Sequence, residues 1–293
     1  MNTSRTTTVV SILAIILFLL NFTSAGDTDP GALFELSRGA RERALSKTGF
    51  GSTGGIVNLF LKPQTSSNQR KTEFSSFYSR PFEKYSHYSL GLSGNHFSLS
   101  YTGMRSGNII ERDLYGDPTG DSFGFSRHGA VASVREKIGN TGVGINWKGY
   151  YDPDRTSQFI YSFSPGIAYY QAPVSLRAGL PNLISTDSSS SKKETSSFAR
   201  EVLIGAGVIT DALRIGVDLK KDFKSENMET AFYRAGVEWW PEKYLALRGG
   251  INSRGEKSFG FGIQGGNIRI NYAHSIHGEL PQSYAVSLRW VFG

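Results

Sequence analysis

Tyr284, Val286, Leu288, Trp290 and Phe292 occupy every second position of the final strand-like run, with Ser283, Ala285, Ser287 and Arg289 between them. Successive side chains of a strand point to opposite faces, so this run presents one apolar face tipped by two aromatic rings. A strand closing a soluble sandwich has the same alternation. An aromatic-ended strand at the extreme C-terminus, however, is how outer-membrane barrels usually finish. The constraint is severe, because in lipid every backbone N–H and C=O must find a partner within the protein.

The N-terminus points the same way. Arg5 precedes the apolar run Val9 to Leu20, which is followed by Asn21, Phe22, Thr23, Ser24 and Ala25. A charge, about a dozen apolar residues and a small-residue site make a secretory leader; a spanning helix needs ~20. Residues 1–25 are therefore expected to be a signal peptide cleaved after Ala25. No cysteine follows, which excludes a lipoprotein, disulfides, thiolate metal sites and thiol nucleophiles. No later segment approaches a spanning helix, so the membrane can be crossed only by strands closed into a barrel. The formal charge of +7 is assigned to an anionic lipid surface or solute, and nucleic acid is not expected as a partner of an exported chain.

Alternation and turn residues predict fourteen strands: 72–80, 86–94, 96–105, 127–138, 141–152, 158–171, 174–183, 198–209, 213–221, 230–240, 245–252, 258–264, 268–275 and 283–292. Tight turns such as Gly94-Asn95, Gly139-Asn140, Ala172-Pro173 and Gly265 to Asn267 alternate with longer connections at 106–126, 184–197, 222–229 and 276–282. Short turns on one rim and long loops on the other is the outer-membrane pattern, with the C-terminus on the periplasmic side. The fold class is thus all-β: a 14-stranded antiparallel transmembrane barrel over 72–293, with residues 26–71 as an N-terminal periplasmic or plug segment. The serine-rich stretch 185–197 is expected to be disordered outside the cell.

With the apolar face outward, the inward set is Arg135, Lys148, Arg177, Arg214, Asp218, Lys220, Arg234, Glu238, Arg248, Arg269 and Arg289. A charge facing lipid near the midplane costs roughly 2–4 kcal/mol, which turns these side chains into the lumen. Nine basic groups against two acidic need compensation, expected from Asp27, Asp29, Glu35 and Glu42 of the plug facing Arg248, Arg269 and Arg289. Either these arginines prop the wall against the plug, or the lumen conducts anions. Tyr169, Tyr170, Trp239, Trp240, Tyr244, Trp290 and Phe292, all at periplasmic strand ends, are read as membrane-interface aromatics. The histidines lack an acidic orienting partner at a recognisable spacing, and adjacent Ser275 and His274 face opposite ways. No catalytic residue, metal ligand or cofactor is predicted.

Several motifs, in order, resemble the PorV/PorQ-type outer-membrane proteins, relatives in fold of the FadL-type transporters. They are Gly39-Ala40-Arg41 with Ala44-Leu45-Ser46, Ser98 to Tyr101 with Gly107 to Ile110, Gly116 to Gly120, and Leu176 to Leu183. Gly236-Val237-Glu238-Trp239-Trp240 with Leu245 to Gly250, Asn271 to His274 with His277 to Leu280, and Val286 to Arg289 complete the series. Where that family carries Asn-Pro-Ala-Gly-Leu in its hatch, this chain reads Gly54 to Phe60, with Asn58 as the counterpart asparagine of the plug. The resemblance implies a monomeric barrel in bacterial outer-membrane lipid that serves as partner of a protein-secretion machine, with secretion components or cargo as its contacts. A FadL-like uptake channel for hydrophobic or amphipathic solutes is the alternative, and a structural envelope barrel the third possibility.

Overall fold

The computed structural model describes residues 30–36, 39–49, 72–83, 85–112, 117–153, 159–186, 188–191, 194–196, 198–222, 231–278 and 280–292. The expected leader and the plug residues Asp27, Asp29 and Asn58 lie outside the described residues.

Fourteen antiparallel strands form one up-and-down sheet. They are β1 (Thr72–Arg80), β2 (Ser86–Ser93), β3 (Phe97–Arg112), β4 (Pro118–Ile138), β5 (Thr141–Tyr151), β6 (Phe159–Gln171) and β7 (Val174–Gly179), followed by β8 (Glu201–Ile209) and β9 (Leu213–Asp222). The last five are β10 (Phe232–Glu242), β11 (Leu245–Asn252), β12 (Lys257–Gly265), β13 (Ile268–Ile276) and β14 (Ser283–Phe292). Each pairs with its neighbours in sequence, and β1 closes the sheet on β14 from Thr72↔Phe292 to Arg80↔Tyr284. Closure removes the open edge that lipid would not tolerate. Every predicted strand has its counterpart.

The alternation has the expected physical result. Val134 is 61% exposed while its sequence neighbours Ser133 and Arg135 are buried, and Ile251 and Trp290 are 58% and 51% exposed. An apolar surface that continuous belongs in hydrocarbon, not water.

The rim at which β1 and β14 meet carries only connections of two or three residues. The opposite, far rim departs from expectation in three places. The anticipated loop 106–126 is largely strand, because β3 runs on to Arg112 and β4 starts at Pro118; backbone pairing satisfies this glycine-rich stretch better than solvent does. The connection between β11 and β12 is a tight turn through Gly255 at φ +76, so short turns are not confined to one rim. Finally, Ser188–Ser191 pairs with Glu194–Ser196, giving backbone structure to a stretch expected to have none.

Two short helices lie inside the barrel. The first, α1 (Gly31–Leu36), contacts β3 and β4; the second, α2 (Ala40–Ala44), contacts β11 to β14. Wall glycines make this approach possible. A Cβ on Gly250 would lie 2.4 Å from the backbone of Leu45, and one on Gly260 2.7 Å from Cβ of Ala44.

Candidate functional site: the bore of the barrel

The ionic half of the bore is organised by Glu238. Register places it directly opposite Arg214 on β9 and Arg248 on β11, so three inward side chains from adjacent strands converge. Arg248 donates from Nε at 2.7 Å and Arg214 from Nη1 at 3.1 Å. Arg41 of α2 adds two bonds, Nε at 2.6 Å and Nη2 at 2.7 Å, and the Trp240 indole a fifth at 2.9 Å. Glu238 itself is 0% exposed. A buried carboxylate is tolerable only when so fully donated to, and breaking such a pair by removing one partner costs about 3–5 kcal/mol.

A second pair depends on an absence. Arg177 on β7 and Asp218 on β9 both face Gly205 of the intervening β8, and they form an ion pair across it. A Cβ at Gly205 would sit 2.4 Å from Asp218 Oδ1, so only glycine permits the contact. Asp218 also accepts the Gly49 backbone N–H at 2.8 Å, which ties the end of the internal segment to the wall.

The remaining inward groups find partners as follows. Lys220 pairs with Glu201 at 2.6 Å and with Glu35 at 3.2 Å, and Arg234 reaches the other Glu35 oxygen at 3.0 Å. Arg289 pairs with Glu73 at 2.6 Å. Arg269 donates to Gln264 at 2.9 Å and lies over the Trp240 ring. Arg135 donates to the carbonyls of Asn95 and Gly94 in the β2–β3 turn, and Lys148 donates to Asn182 at 3.0 Å.

Of the four carboxylates expected to face Arg248, Arg269 and Arg289, Asp27 and Asp29 lie outside the described residues. Arg248 and Arg289 find carboxylates of the wall, and Arg269 a wall amide. Glu35 faces Lys220 and Arg234 instead, and Glu42 lies 3.9 Å from Arg41 of its own helix. The estimate of two inward carboxylates was too low. Glu73 and Glu201 sit on inward strand positions, and Asp152 and Glu256 at strand ends take Arg127 and Lys47. Of these, Glu73 was visible from alternation alone, sharing a face with buried Phe77. Arg41 and Arg43 could be found only through the glycine-alanine-arginine motif.

Toward the far rim the bore turns apolar. Leu33 and Phe34 of α1 pack with Met104, Val131, Tyr150, Ile160 and Phe198. The Phe34 and Phe198 rings lie 5.8 Å apart, and the Phe34 ring rests on Gly129, where a Cβ would meet it at 2.7 Å. The nearby Leu180 to Leu183 motif turns inward at Asn182, whose φ is +58. Asn182 donates its N–H to Ser164 at 2.8 Å and its side-chain amide to the Ala199 carbonyl at 2.7 Å, while its Oδ1 accepts from Ser162. That anchor positions Phe198 over α1.

Five of the expected interface aromatics lie on the outer side: Tyr169, Trp239, Tyr244 and Trp290 are exposed, and Phe292 packs 5.4 Å from Trp290. Two do not. Trp240 turns inward to Glu238, and Tyr170 shares the inward face with buried Ala168. The reason is the two-residue strand period, which forbids adjacent residues from sharing a face.

A closed up-and-down barrel with an apolar exterior and helical segments across an ionic bore has the fold of an outer-membrane β-barrel. It is similar to the toluene transporter TbuX of Ralstonia pickettii at 11% identity, TM-score 0.57, over 88% of this chain and 99% of that one. It is also similar to the Pseudomonas putida toluene transporter TodX at 11% identity, TM-score 0.51, over 92% and 98%. No family model matches the chain, and no curated protein matches it. Neither structure is a PorV/PorQ-type protein, so that finer resemblance rests on the motifs.

Proposed function

We propose that this barrel is an outer-membrane uptake channel for hydrophobic or amphipathic solutes, with its short-turn rim in the periplasm. The observation that carries the proposal is the packed apolar cluster that α1 builds with β3 to β6 and Phe198 inside an otherwise ionic bore. A wall alone would not need Phe34 there; a solute would. The two similar transporters, which act on toluene, support a transport role over a catalytic one. A solute entering from the far rim meets this cluster, and Phe34 and Phe198 must part to admit it. The Glu238 network beneath it holds α2 across the path, so onward passage requires those ion pairs to rearrange.

Titrating the purified full chain in non-ionic detergent with toluene and 1-octanol tests this. Saturable binding is expected, and Phe34→Ala should weaken it about tenfold, since burying an aromatic ring contributes roughly 1.5–3 kcal/mol. Absence of saturable binding by the wild type sinks the proposal. The secretion-partner alternative draws on one observation, the β3–β4 hairpin that outgrows the other strands at the far rim and offers a docking edge. Shortening it should abolish secretion on that reading and leave solute binding intact.

A further inference from the structure

The outer face carries a patch that solute passage does not use. From β1 to β6, register sets Tyr78, Tyr88, Gly103, His128, Tyr151 and Phe159 opposite one another in turn, all on the lipid-facing side. The Tyr88 ring covers Gly103, where a Cβ would lie 2.5 Å from it, so the aromatic row is unbroken. His128 is held in the row by Tyr101, whose hydroxyl is 2.6 Å from Nδ1. In the tautomer whose Nδ1 accepts from the phenol, Nε2–H of the imidazole is left as a donor. Rings in such a row mark the boundary between hydrocarbon and headgroups.

One step toward the far rim, two residues or about 7 Å along the strands, stand Arg80 on β1 and Arg105 on β3. Both are exposed. They flank β2, where Ser86 faces Arg105, and two inter-strand spacings put them about 10 Å apart. Arg80 donates to the Glu83 carbonyl at 3.2 Å, and Arg105 has no carboxylate partner among the described residues. Glu111 and Asp117 lie farther up the β3–β4 hairpin, well above the row.

We propose that Arg80, Arg105 and His128 bind the phosphorylated headgroup of an outer-leaflet lipid, whose acyl chains lie against the aromatic row. Two arginines whose Cα positions are about 10 Å apart can each reach a phosphate of a headgroup that carries two. Cations set immediately above an apolar belt have no better use in a protein that must hold its height in the membrane.

The test uses the purified full chain in non-ionic detergent, titrated with diphosphoryl lipid A, monophosphoryl lipid A and phosphatidylcholine and read by native mass spectrometry. Affinity should fall in that order. Replacing both arginines, R80Q/R105Q, should weaken diphosphoryl lipid A about thirtyfold at low salt, each basic group near an anionic surface being worth ~1 kcal/mol. Phosphatidylcholine binding should be unchanged, and R80K/R105K should retain most of the affinity. A wild type without preference for phosphorylated lipid overturns the proposal before any variant is made. A heat-modifiable R80Q/R105Q barrel that binds diphosphoryl lipid A like wild type overturns it too.

Discussion

Replacing Glu238 by glutamine tests whether the ion network holds the internal helices in place. The substitution keeps the shape and one acceptor but removes the charge, and its new amide N–H points at a guanidinium. Arg41, Arg214 and Arg248 then share no carboxylate, and the five bonds converging on Glu238 lose their ionic character. Breaking a buried pair costs about 3–5 kcal/mol. Because the amide retains one acceptor, the low end applies, about 3 kcal/mol, or roughly two orders of magnitude in an equilibrium. The wall has its own backbone ladder, so this energy is drawn from the docking of α2 and not from the barrel. In planar bilayers Glu238→Gln should therefore raise the open-to-closed ratio about a hundredfold over wild type, with Arg41→Gln giving a similar rise and the double variant little more. Conductance indistinguishable from wild type in both single variants would refute the idea that these ion pairs hold the path shut.

Deleting residues 27–60 behind the leader should open a pore that prefers anions, while the intact protein conducts little; equal conductance shows that the segment is no plug, and cation preference shows that the strand faces are misassigned. The unheated protein should migrate differently from the boiled one on a denaturing gel, because a closed ladder resists detergent until heated; solubility without detergent and a heat-insensitive mobility would contradict a barrel. An epitope inserted after Ser189 should be stained on intact cells, and labelling only after permeabilisation would reverse the proposed orientation.

Strand alternation carried most of the fold. The last strand, with its five outward apolar residues, could be read without a neighbour, and so could Leu213 to Leu219, because a two-residue period needs no tertiary information. What alternation cannot supply is cross-strand register, and the bore is made of register. That Glu238 lies between Arg214 and Arg248, or that Gly205 opens a window between Arg177 and Asp218, depends on which residues the turns bring level. Tyr170 and Trp240 depart from the expected interface because the strand period splits every adjacent pair between the two faces. The β3–β4 hairpin was missed because its glycines and acids look like loop when its partner strand is unknown. The apolar cluster is illegible in the sequence for a similar reason, since Phe34 and Phe198 are 164 positions apart and lie outside the strands.

The seam between β1 and β14 has a consequence for how such a molecule comes into being. Its nine paired positions join the first strand of the barrel to the last, so no cylinder exists until the final residues have been made and delivered. The Glu73–Arg289 ion pair lies across that seam, inside it. Glu73 stands level with Val291 and Arg289 with Ser75, so the pair runs on a diagonal, and a two-residue slip that keeps every side chain on its proper face would either bring the two level or set them four residues apart. The pair therefore resists closure slipped in one direction only, and without β14 the sheet keeps an open edge that lipid does not tolerate.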